Sequence, residues 1–251
     1  RSLFVPEDEC NWGIFDYSQQ EPRLVVHYAA LTGNNTGGLP GATEFAEAYT
    51  TDPGTDFHTL VSDMAGIDRK QAKTINLGLF YGMGKAKLQA ELGVSKDKAA
   101  ELFNTYHGKV PFVKQLMDAV MSRAQRKGKV RTLLGRLCRF HLWEPNQFGI
   151  HKPLPHDDAL AEHGPGIKRA YTYEALNRLI QGSAADMTKK AMIDLHAEGI
   201  IPHLQVHDEL DISIQNKKEV EKIRDIMEST VSLEVPNKVD YEEGDNWGSI
   251  K

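Results

Sequence analysis

Apolar and polar residues alternate through residues 204–214. The apolar residues fall at positions 204, 206, 210, 212 and 214, which is the period of a strand with one buried face. Asp208 occupies this register where a hydrophobic side chain is expected, and an ionised carboxylate on a core face is costly unless it is compensated. The pattern fits an edge strand with a hydrogen-bonded aspartate. It also fits a β-hairpin that reverses at residues 207–209, with Asp208 and Glu209 at its tip and a carboxylate facing a cation.

Shorter apolar runs predict further strands at residues 3–5 and 12–15, separated by a polar turn that begins at Pro6, and a last strand near residues 237–241. Asp16 directly follows the second of these runs. An aspartate at the end of a hydrophobic strand serves as a metal ligand or as the N-cap of the next helix, and the cap is the commoner role for one such position.

Helical periodicity covers much of the remaining chain, and capping residues mark several helix ends. We predict helices over residues 21–32, 43–49, 56–65, from 69 onward, 96–106 (capped by Ser95 and stopped by Gly108), 111–127, 170–197 and around 220–227. Residues 32–43 and 144–168 are rich in glycine, proline and polar residues, and we predict loops there.

One helix face combines cations with apolar side chains. Arg69, Lys73, Leu77 and Tyr81 are spaced by four residues, so on a helix they form a slowly winding stripe about 18 Å long. The stripe is basic at the helix N-terminus, where the helix dipole also attracts phosphate, and apolar at its other end. An ordinary amphipathic helix can show this spacing, but the order of side chains matches an extended nucleoside triphosphate.

The composition allows a real core, since 40% of the 251 residues are hydrophobic, and one or two domains are expected. No apolar run is long enough to span a bilayer, and two isolated cysteines favour a reducing compartment. We therefore expect a cytoplasmic location, in a bacterial or phage-infected cell, and no membrane partner. Because the sequence begins at Arg1 rather than at a methionine, we interpret it as a fragment or a processed product.

Positive charge is concentrated in one part of a chain whose net charge is −5. Residues 109–139 contain one acid, Asp118, and nine basic residues: Lys109, Lys114, Arg123, Arg126, Lys127, Lys129, Arg131, Arg136 and Arg139. A solvated helix face followed by a basic loop would have this composition. A surface that binds nucleic-acid phosphates would have it too.

Two carboxylates at strand ends, Asp16 and Asp208, are suited to hold a pair of divalent cations about 3.5–4 Å apart. Such a pair activates an attacking hydroxyl and stabilises a leaving pyrophosphate, and hard oxygen ligands favour Mg²⁺. The residues alone thus indicate metal-dependent phosphoryl or nucleotidyl transfer.

Four segments together resemble the motifs of the DNA polymerase I-type (family A) DNA polymerases, and of the bacteriophage members in particular. They are DYSQQEPR (16–23), RKQAKTINLGLFYG (69–82), NRLIQGSAAD (177–186) and QVHDEL (205–210). The resemblance implies an α+β fold, in which the antiparallel sheet of a polymerase palm carries an inserted, mostly α-helical fingers subdomain. The implied boundaries are residues 1–32 for the first part of the palm, 33–168 for the fingers and a following loop, and 169–251 for the second part of the palm.

The resemblance also implies template-directed DNA synthesis in replication, by transfer from a dNTP to a primer 3′-hydroxyl on a DNA primer-template. Asp16, Asp208 and the carbonyl of Tyr17 would hold two Mg²⁺ ions, with Glu209 as an accessory acid. Arg69 and Lys73 would contact the triphosphate, and Lys73 would donate a proton to pyrophosphate. The remaining implied contacts are Leu77 (sugar), Tyr81 (base pair), Glu21 (exclusion of a 2′-hydroxyl), and Gln19, His207, Asn177 and Gln181 (nucleotide and primer-template). From the basic segment, Arg123, Arg126, Lys127, Arg131 and Arg136 are the candidate DNA contacts.

The sequence departs from the family pattern in several places. Gln20 and Pro22 replace residues that are usually apolar, Leu77 replaces an aromatic residue, and Tyr173 stands where many members carry an arginine that contacts the primer-template. We find no segment resembling the thumb, the first palm segment or an exonuclease, so we expect those parts in the parent protein or on a separate chain.

Two other interpretations remain. A single-subunit RNA polymerase of the phage type shares the palm carboxylates, but Glu21 argues against it because such an enzyme must leave room for a 2′-hydroxyl. A partner-dependent polymerase subunit, or a fragment that is inactive alone, would carry the same motifs.

Overall fold

The structure, a computed structural model, describes residues 1–32, 38–80, 83–147 and 149–250, without the side chains of residues 65 and 79. Along the chain its elements are β1 Asn11–Tyr17, α1 Gln20–Leu31, α2 Ala42–Thr51, α3 Phe57–Ala65, α4 Arg69–Phe80, α5 Lys85–Leu92, α6 Lys96–Lys109, α7 Pro111–Lys127, β2 Lys129–Arg131, β3 Leu137–Arg139, β4 Leu142–Pro145, β5 Leu154–Pro155, α8 His156–His163, β6 Ile167–Arg169, a 3-10 turn Thr172–Glu174, α9 Ala175–Ala197, β7 Leu204–Val206, β8 Glu209–Ile214, α10 Lys217–Ser229, β9 Val239–Gly244 and α11 Trp247–Ile250.

The chain divides into two compact units. Unit 1 contains residues 1–31, 42–57 and 183–251, and unit 2 contains residues 32–41 and 58–182, so α9 belongs to unit 2 up to Gly182 and to unit 1 from Ser183. Compared with the boundaries implied by the resemblance, residues 42–57 lie with the first unit and residues 169–182 with the second. The palm and fingers designations remain predictions.

Unit 1 is built on an antiparallel sheet whose described strands have the order β7-β8-β1-β9. Antiparallel pairing places the apolar residues Phe15, Leu210 and Ile212 on one face. Helix α10 packs there through buried Val220, Ile223 and Met227, and the hydroxyl of buried Tyr17 donates to the carbonyl of Met227 (2.7 Å). The mixed helix and antiparallel sheet confirm the α+β prediction.

The hairpin predicted at residues 204–214 is confirmed, since β7 and β8 pair as Val206 with Glu209 and the turn lies between them. The strand predicted at residues 3–5 is wrong. That segment is a turn in which the amide of Phe4 donates to the carbonyl of Arg1, while the Phe4 ring packs edge-on against Trp247 (5.5 Å between ring centroids). All three side chains of this apolar run are exposed (Leu3 91%, Phe4 45% and Val5 63%), and the contact of Phe4 with α11 takes the place of strand pairing.

Unit 2 contains most of the predicted helices. Ser95 caps α6 by accepting from the amide of Lys98, and Gly128 ends α7 with a left-handed backbone (φ 66°). Gly108 does not stop α6, which continues to Lys109. Helix α5 was not predicted because Leu88 is its buried residue, so no hydrophobic repeat reveals it.

The loop prediction for residues 144–168 is only partly correct, because residues 149–153 have no helix or strand but the flanking residues form regular elements. Strands β5, β4 and β6 form a small antiparallel sheet in this order, and α8 lies beside it. The Arg169 guanidinium stacks on the Trp143 ring (4.4 Å to the centroid) and donates to the carbonyl of Phe140 (2.8 Å). His156 packs on the same tryptophan (4.8 Å between ring centroids). One aromatic ring and one half-buried cation thus order a segment of polar composition.

No helix in the described ranges is both long enough and apolar enough to cross a bilayer.

Candidate active site

The acidic end of the unit 1 sheet brings Asp16 close to the hairpin turn. Asp16 pairs with Glu209 of β8 on one side and with Asp240 of β9 on the other. Directly paired residues in antiparallel strands project from the same face, so these three carboxylates form a row across the sheet. The amide of Tyr17 donates to the carbonyl of Asp208 (3.3 Å). The structure therefore brings Asp16, Tyr17 and Asp208 together, as the sequence predicts.

The turn itself has a backbone conformation suited to presenting its side chains. His207 adopts a left-handed conformation (φ 57°), and its exposed side chain extends from the hairpin next to half-buried Asp208. The side-chain amide of Gln205 donates to the carbonyl of His207 (2.8 Å), which fixes the first half of the turn. A non-glycine residue in this conformation is uncommon and indicates that the surrounding contacts hold the turn in place.

The donor set at this sheet end fits a hard divalent cation. The carboxylates of Asp16 and Asp208 are half-buried, and the phenol of Tyr17 is directed away to Met227, so Tyr17 can offer its backbone carbonyl but not its side chain. Burial raises the pKa of the Tyr17 phenol, which stays protonated at neutral pH. In the described part of the chain, no three His, Cys, Asp or Glu side chains come together as a metal cluster. A site here would thus depend on two carboxylates, a carbonyl and substrate oxygens.

Glu209 differs from the other two acids because it is nearly inaccessible (6% exposed) and accepts a hydrogen bond from the Trp247 indole (3.3 Å). Asp211, two residues further along β8, is fully buried, and sequence analysis missed it. It pairs with Ile14 of β1, on the same sheet face as Asp16 and Glu209. Asp211 stands between two apolar residues, a position that is exposed in a strand with one buried face. No local signal in the sequence distinguishes an exposed acid from a buried one at such a position.

The turn after β1 carries the next candidates. Gln19 has a left-handed backbone (φ 53°), and its side-chain amide bonds to residues of unit 1 at positions 49, 55 and 57. Glu21 is half-buried in the first turn of α1, close to the positive end of that helix. Arg23, in the same motif, is buried, and sequence analysis assigned it no role.

In unit 2, helix α4 separates its two faces clearly. Ala72, Ile75, Asn76 and Phe80 are buried, whereas Arg69 and Lys73 are exposed and Leu77 is half-buried. The Asp68 carboxylate accepts from the amide of Gln71 (2.9 Å) and caps the helix. The stripe therefore lies on the accessible side of α4, and its last member Tyr81 lies outside the described residues.

The basic segment of unit 2 forms the end of α7 and the hairpin β2–β3. Its five candidate DNA contacts are all exposed: Arg123, Arg126, Lys127, Arg131 and Arg136. Arg136 donates to the carbonyl of Gly182 (2.7 Å), which places the hairpin beside exposed Gln181 on α9. The amide side chain of Asn177 is half-buried one turn earlier on α9.

Comparison with known proteins gives one consistent result. Residues 1–249 match the sequence profile of DNA polymerase family A. A DNA-directed DNA polymerase of Pseudomonas phage M6 is 36% identical over 99% of this chain and 40% of its own length. DNA polymerase I of Geobacillus stearothermophilus is 34% identical over 100% of this chain and 27% of its own length. The chain thus spans well under half of these relatives.

A solved structure agrees with the sequence matches. The POL domain of Pol1 from M. smegmatis, in complex with DNA primer-template and dNTP, superposes with a TM-score of 0.75 at 26% identity. The match covers 100% of this chain and 42% of that one.

Proposed function

The chain belongs to DNA polymerase family A, and we propose that it carries the nucleotidyl-transfer centre of a template-directed DNA polymerase. The observation that carries the proposal is the sheet end at which Asp16 and Tyr17 lie against the Asp208 turn. The curated relatives are named DNA polymerases, and the M. smegmatis structure contains a DNA primer-template and a dNTP. These are the substrates that we propose for the protein of which residues 1–251 are a part.

Asp16, Asp208 and the carbonyl of Tyr17 would hold two Mg²⁺ ions, with Glu209 as a neighbouring acid. When bound, such ions lower the pKa of the primer 3′-hydroxyl and neutralise charge on the pyrophosphate. The exposed cations of α4 bind the triphosphate oxygens, and Lys73 donates a proton to the leaving pyrophosphate. The remaining residues in this proposal act by positioning the nucleotide and the primer-template.

Position is supplied by contacts along the nucleotide and the duplex. Leu77 packs on the sugar, Glu21 occupies the space of a 2′-hydroxyl, and Tyr81 lies beside the nascent base pair. The amides and imidazole of His207, Asn177 and Gln181 line the nucleotide and the primer-template, and Gln19 lies in the turn that follows the metal-binding end of β1. Exposed cations of the α7 end and the β2–β3 hairpin bind duplex phosphates, a contact that weakens steeply with salt.

The chain spans about 40% of the phage M6 relative, so the activity is proposed for the protein with its remaining parts. A thumb and the first palm segment would come from the parent protein or from a separate chain. We place the protein in the cytoplasm of a bacterial or phage-infected cell. Residues 1–251 alone should bind primer-template weakly near physiological salt, and duplex affinity should recover when those parts are supplied.

Primer extension by the full-length protein tests the proposal. Asp16→Ala and Asp208→Ala should each lower single-nucleotide incorporation by about three orders of magnitude or more while leaving the melting temperature near that of wild type. Asp225→Ala is the matched control, because Asp225 is an exposed aspartate of unit 1 on α10. Full incorporation by either site variant would refute the assignment.

A further inference from the structure

The side chain of Gln19 anchors a segment that is distant in sequence. Its amide nitrogen donates to the carbonyl of Thr55 (3.0 Å), and its amide oxygen accepts from the amide of Phe57 (2.7 Å) and from the hydroxyl of Tyr49 (3.3 Å). A glutamine amide offers two donor hydrogens and an oxygen with two lone pairs. Three of these four positions are therefore used inside unit 1, and one N–H is left for any other partner.

Arg23 also binds the segment around residues 53–57, from a buried position. Its guanidinium is 2% exposed and donates to the carbonyls of Ser18 (2.8 Å), Pro53 (2.5 Å) and Pro236 (2.6 Å). It also stacks on the ring of Tyr49 (4.4 Å to the centroid). Burial lowers the pKa of Arg23, and the desolvated guanidinium is tolerated because each of its three nitrogens donates to a carbonyl. Moving any one of these carbonyls would leave a buried donor unsatisfied.

The anchored segment, Asp52–Phe57, is where the chain leaves unit 1. Phe57 is the last residue of this stretch in unit 1, and His58 begins the stretch of unit 2 that contains α4. Within the segment, the amide of Gly54 donates to the Asp52 carboxylate (2.8 Å) and the Thr55 hydroxyl donates to the carbonyl of Ala48 (3.1 Å). The exit is thus a defined turn, and Gln19 and Arg23 fasten it to the turn that follows Asp16 and Tyr17.

We propose that Gln19 and Arg23 are positioning residues that lock the exit segment Asp52–Phe57 to the backbone bearing the metal-binding end of β1. Gln19 follows Asp16 by three residues and holds a left-handed backbone, a conformation that a non-glycine residue keeps only where contacts impose it. Loss of its amide bonds releases the exit segment and the β1 turn together. The proposal rests on the proposed function for its effect on catalysis, but the anchor itself does not.

This role differs from direct contact with the nucleotide. Tyr49 is 0% exposed and Arg23 is 2% exposed, so neither side chain can touch a substrate. If the anchor positions the catalytic residues, removing a contact of Tyr49 or Arg23 should lower the rate of incorporation, as removing the Gln19 amide does. If Gln19 acts by touching the nucleotide, the buried groups have no influence on nucleotide use.

Hydrogen exchange at the Phe57 amide tests the anchor without reference to activity. In the full-length protein, Gln19→Met keeps the side-chain length and removes the acceptor, so exchange at Phe57 should rise about tenfold. The matched control is Gln20→Met, since the neighbouring Gln20 amide bonds to Ala184 and Thr188 instead. Unchanged exchange in Gln19→Met, or an equal rise in Gln20→Met, would overturn the anchor.

Single-turnover incorporation tests the effect on catalysis. We expect Gln19→Met to slow incorporation about tenfold with little change in dNTP affinity, and Tyr49→Phe to act in the same direction with a smaller effect. Combined with Gln19→Met, Tyr49→Phe should add nothing, because the two share one hydrogen bond. Gln19→Glu keeps the acceptor for Phe57 and should restore part of the rate.

The outcomes separate the hypotheses. Weaker dNTP affinity at an unchanged rate, with additive effects of the two substitutions, means that Gln19 contacts the nucleotide and the positioning role is wrong. Faster exchange at Phe57 with unchanged kinetics means that the anchor is only structural, which also overturns the proposal. If the wild-type protein extends no primer, the proposed function fails, and exchange at Phe57 still decides whether the anchor exists.

Discussion

A close approach to Gly13 in the sheet of unit 1 predicts a large effect from a single methyl group. Gly13 lies in the middle of β1, and a Cβ added to it would come within 2.6 Å of Ile214 Cγ1, 3.1 Å of Tyr241 Cε2 and 3.3 Å of the Ile212 carbonyl oxygen. Favourable contacts between carbon atoms are at about 3.5–4.0 Å. Ile214 is 3% exposed, so relief of the clash requires a buried side chain to change rotamer or β1 or β8 to move.

Overpacking of this kind costs about 1–3 kcal/mol. For a chain of this length each kcal/mol lowers the melting temperature by about 2–4 °C, so Gly13→Ala should melt about 2–12 °C below wild type. Thermal unfolding followed by circular dichroism measures the shift. Gly108→Ala is the control, because nothing lies within 4 Å of its added Cβ and it sits near the end of α6. There alanine should leave the melting temperature unchanged or raise it slightly.

A double-mutant cycle isolates the clash. Ile214→Ala removes Cγ1 and by itself costs about 2–5 kcal/mol through the cavity that it leaves. In that background Gly13→Ala should cost less than in wild type, because the closest of the three contacts of the new methyl group is gone. Wild-type stability of Gly13→Ala, or an identical cost in both backgrounds, would show that the close approach to Ile214 does not constrain the sheet.

Three further predictions concern the nucleotide. Arg69→Ala should weaken dNTP affinity about 10- to 100-fold through loss of charge-assisted hydrogen bonds, and Lys73→Ala should also slow the chemical step about 100-fold or more; unchanged affinity and rate in both variants, by single-turnover kinetics, would exclude the α4 stripe as the triphosphate site. Glu21→Ala should raise the ratio of ribonucleotide to deoxynucleotide incorporation about tenfold or more, and an unchanged ratio would mean that another residue excludes the 2′-hydroxyl. Leu77→Tyr should lower discrimination against dideoxynucleotides, and equal chain termination by both proteins would contradict a role for Leu77.

The local hydrophobic period was enough to predict which residues are buried wherever one face of a helix or strand packs on the core. The α4 stripe illustrates this: the cations at positions 69 and 73 are exposed, and the residues three and four positions apart at 72, 75 and 76 are buried. Capping chemistry likewise located the start of α6 at Ser95 and the end of α7 at Gly128. These signals are short-range, so a single sequence contains them in full.

Structure set by contacts distant in sequence was not predictable. Residues 144–168 have the composition of a loop. The segment is ordered by Arg169, which stacks on Trp143, and by His156, which packs edge-on against the same ring, across separations that no local pattern records. The exit segment at residues 52–57 belongs to unit 1 because Gln19 and Arg23 bind its carbonyls and an amide. Gln19 and Arg23 lie in the same short motif as Asp16, but the motif does not reveal which distant backbone groups their side chains bind.

The burial of β8 on both faces explains why the acid at position 211 was missed and bears on the chemistry of the site. On the face shared with Asp16, Trp12 is covered by the His203 ring (5.8 Å between ring centroids), and the amide of Glu7 donates to the Ser213 hydroxyl (2.8 Å). The alternation of apolar residues therefore marks one buried face while the other is buried by chain packed over it. Glu209 and Asp211 consequently lie in a desolvated row that ends at Asp16, the accessible end. A divalent cation at Asp16 and Asp208, as we propose, would lie at the accessible end of this row of carboxylates and away from its buried part.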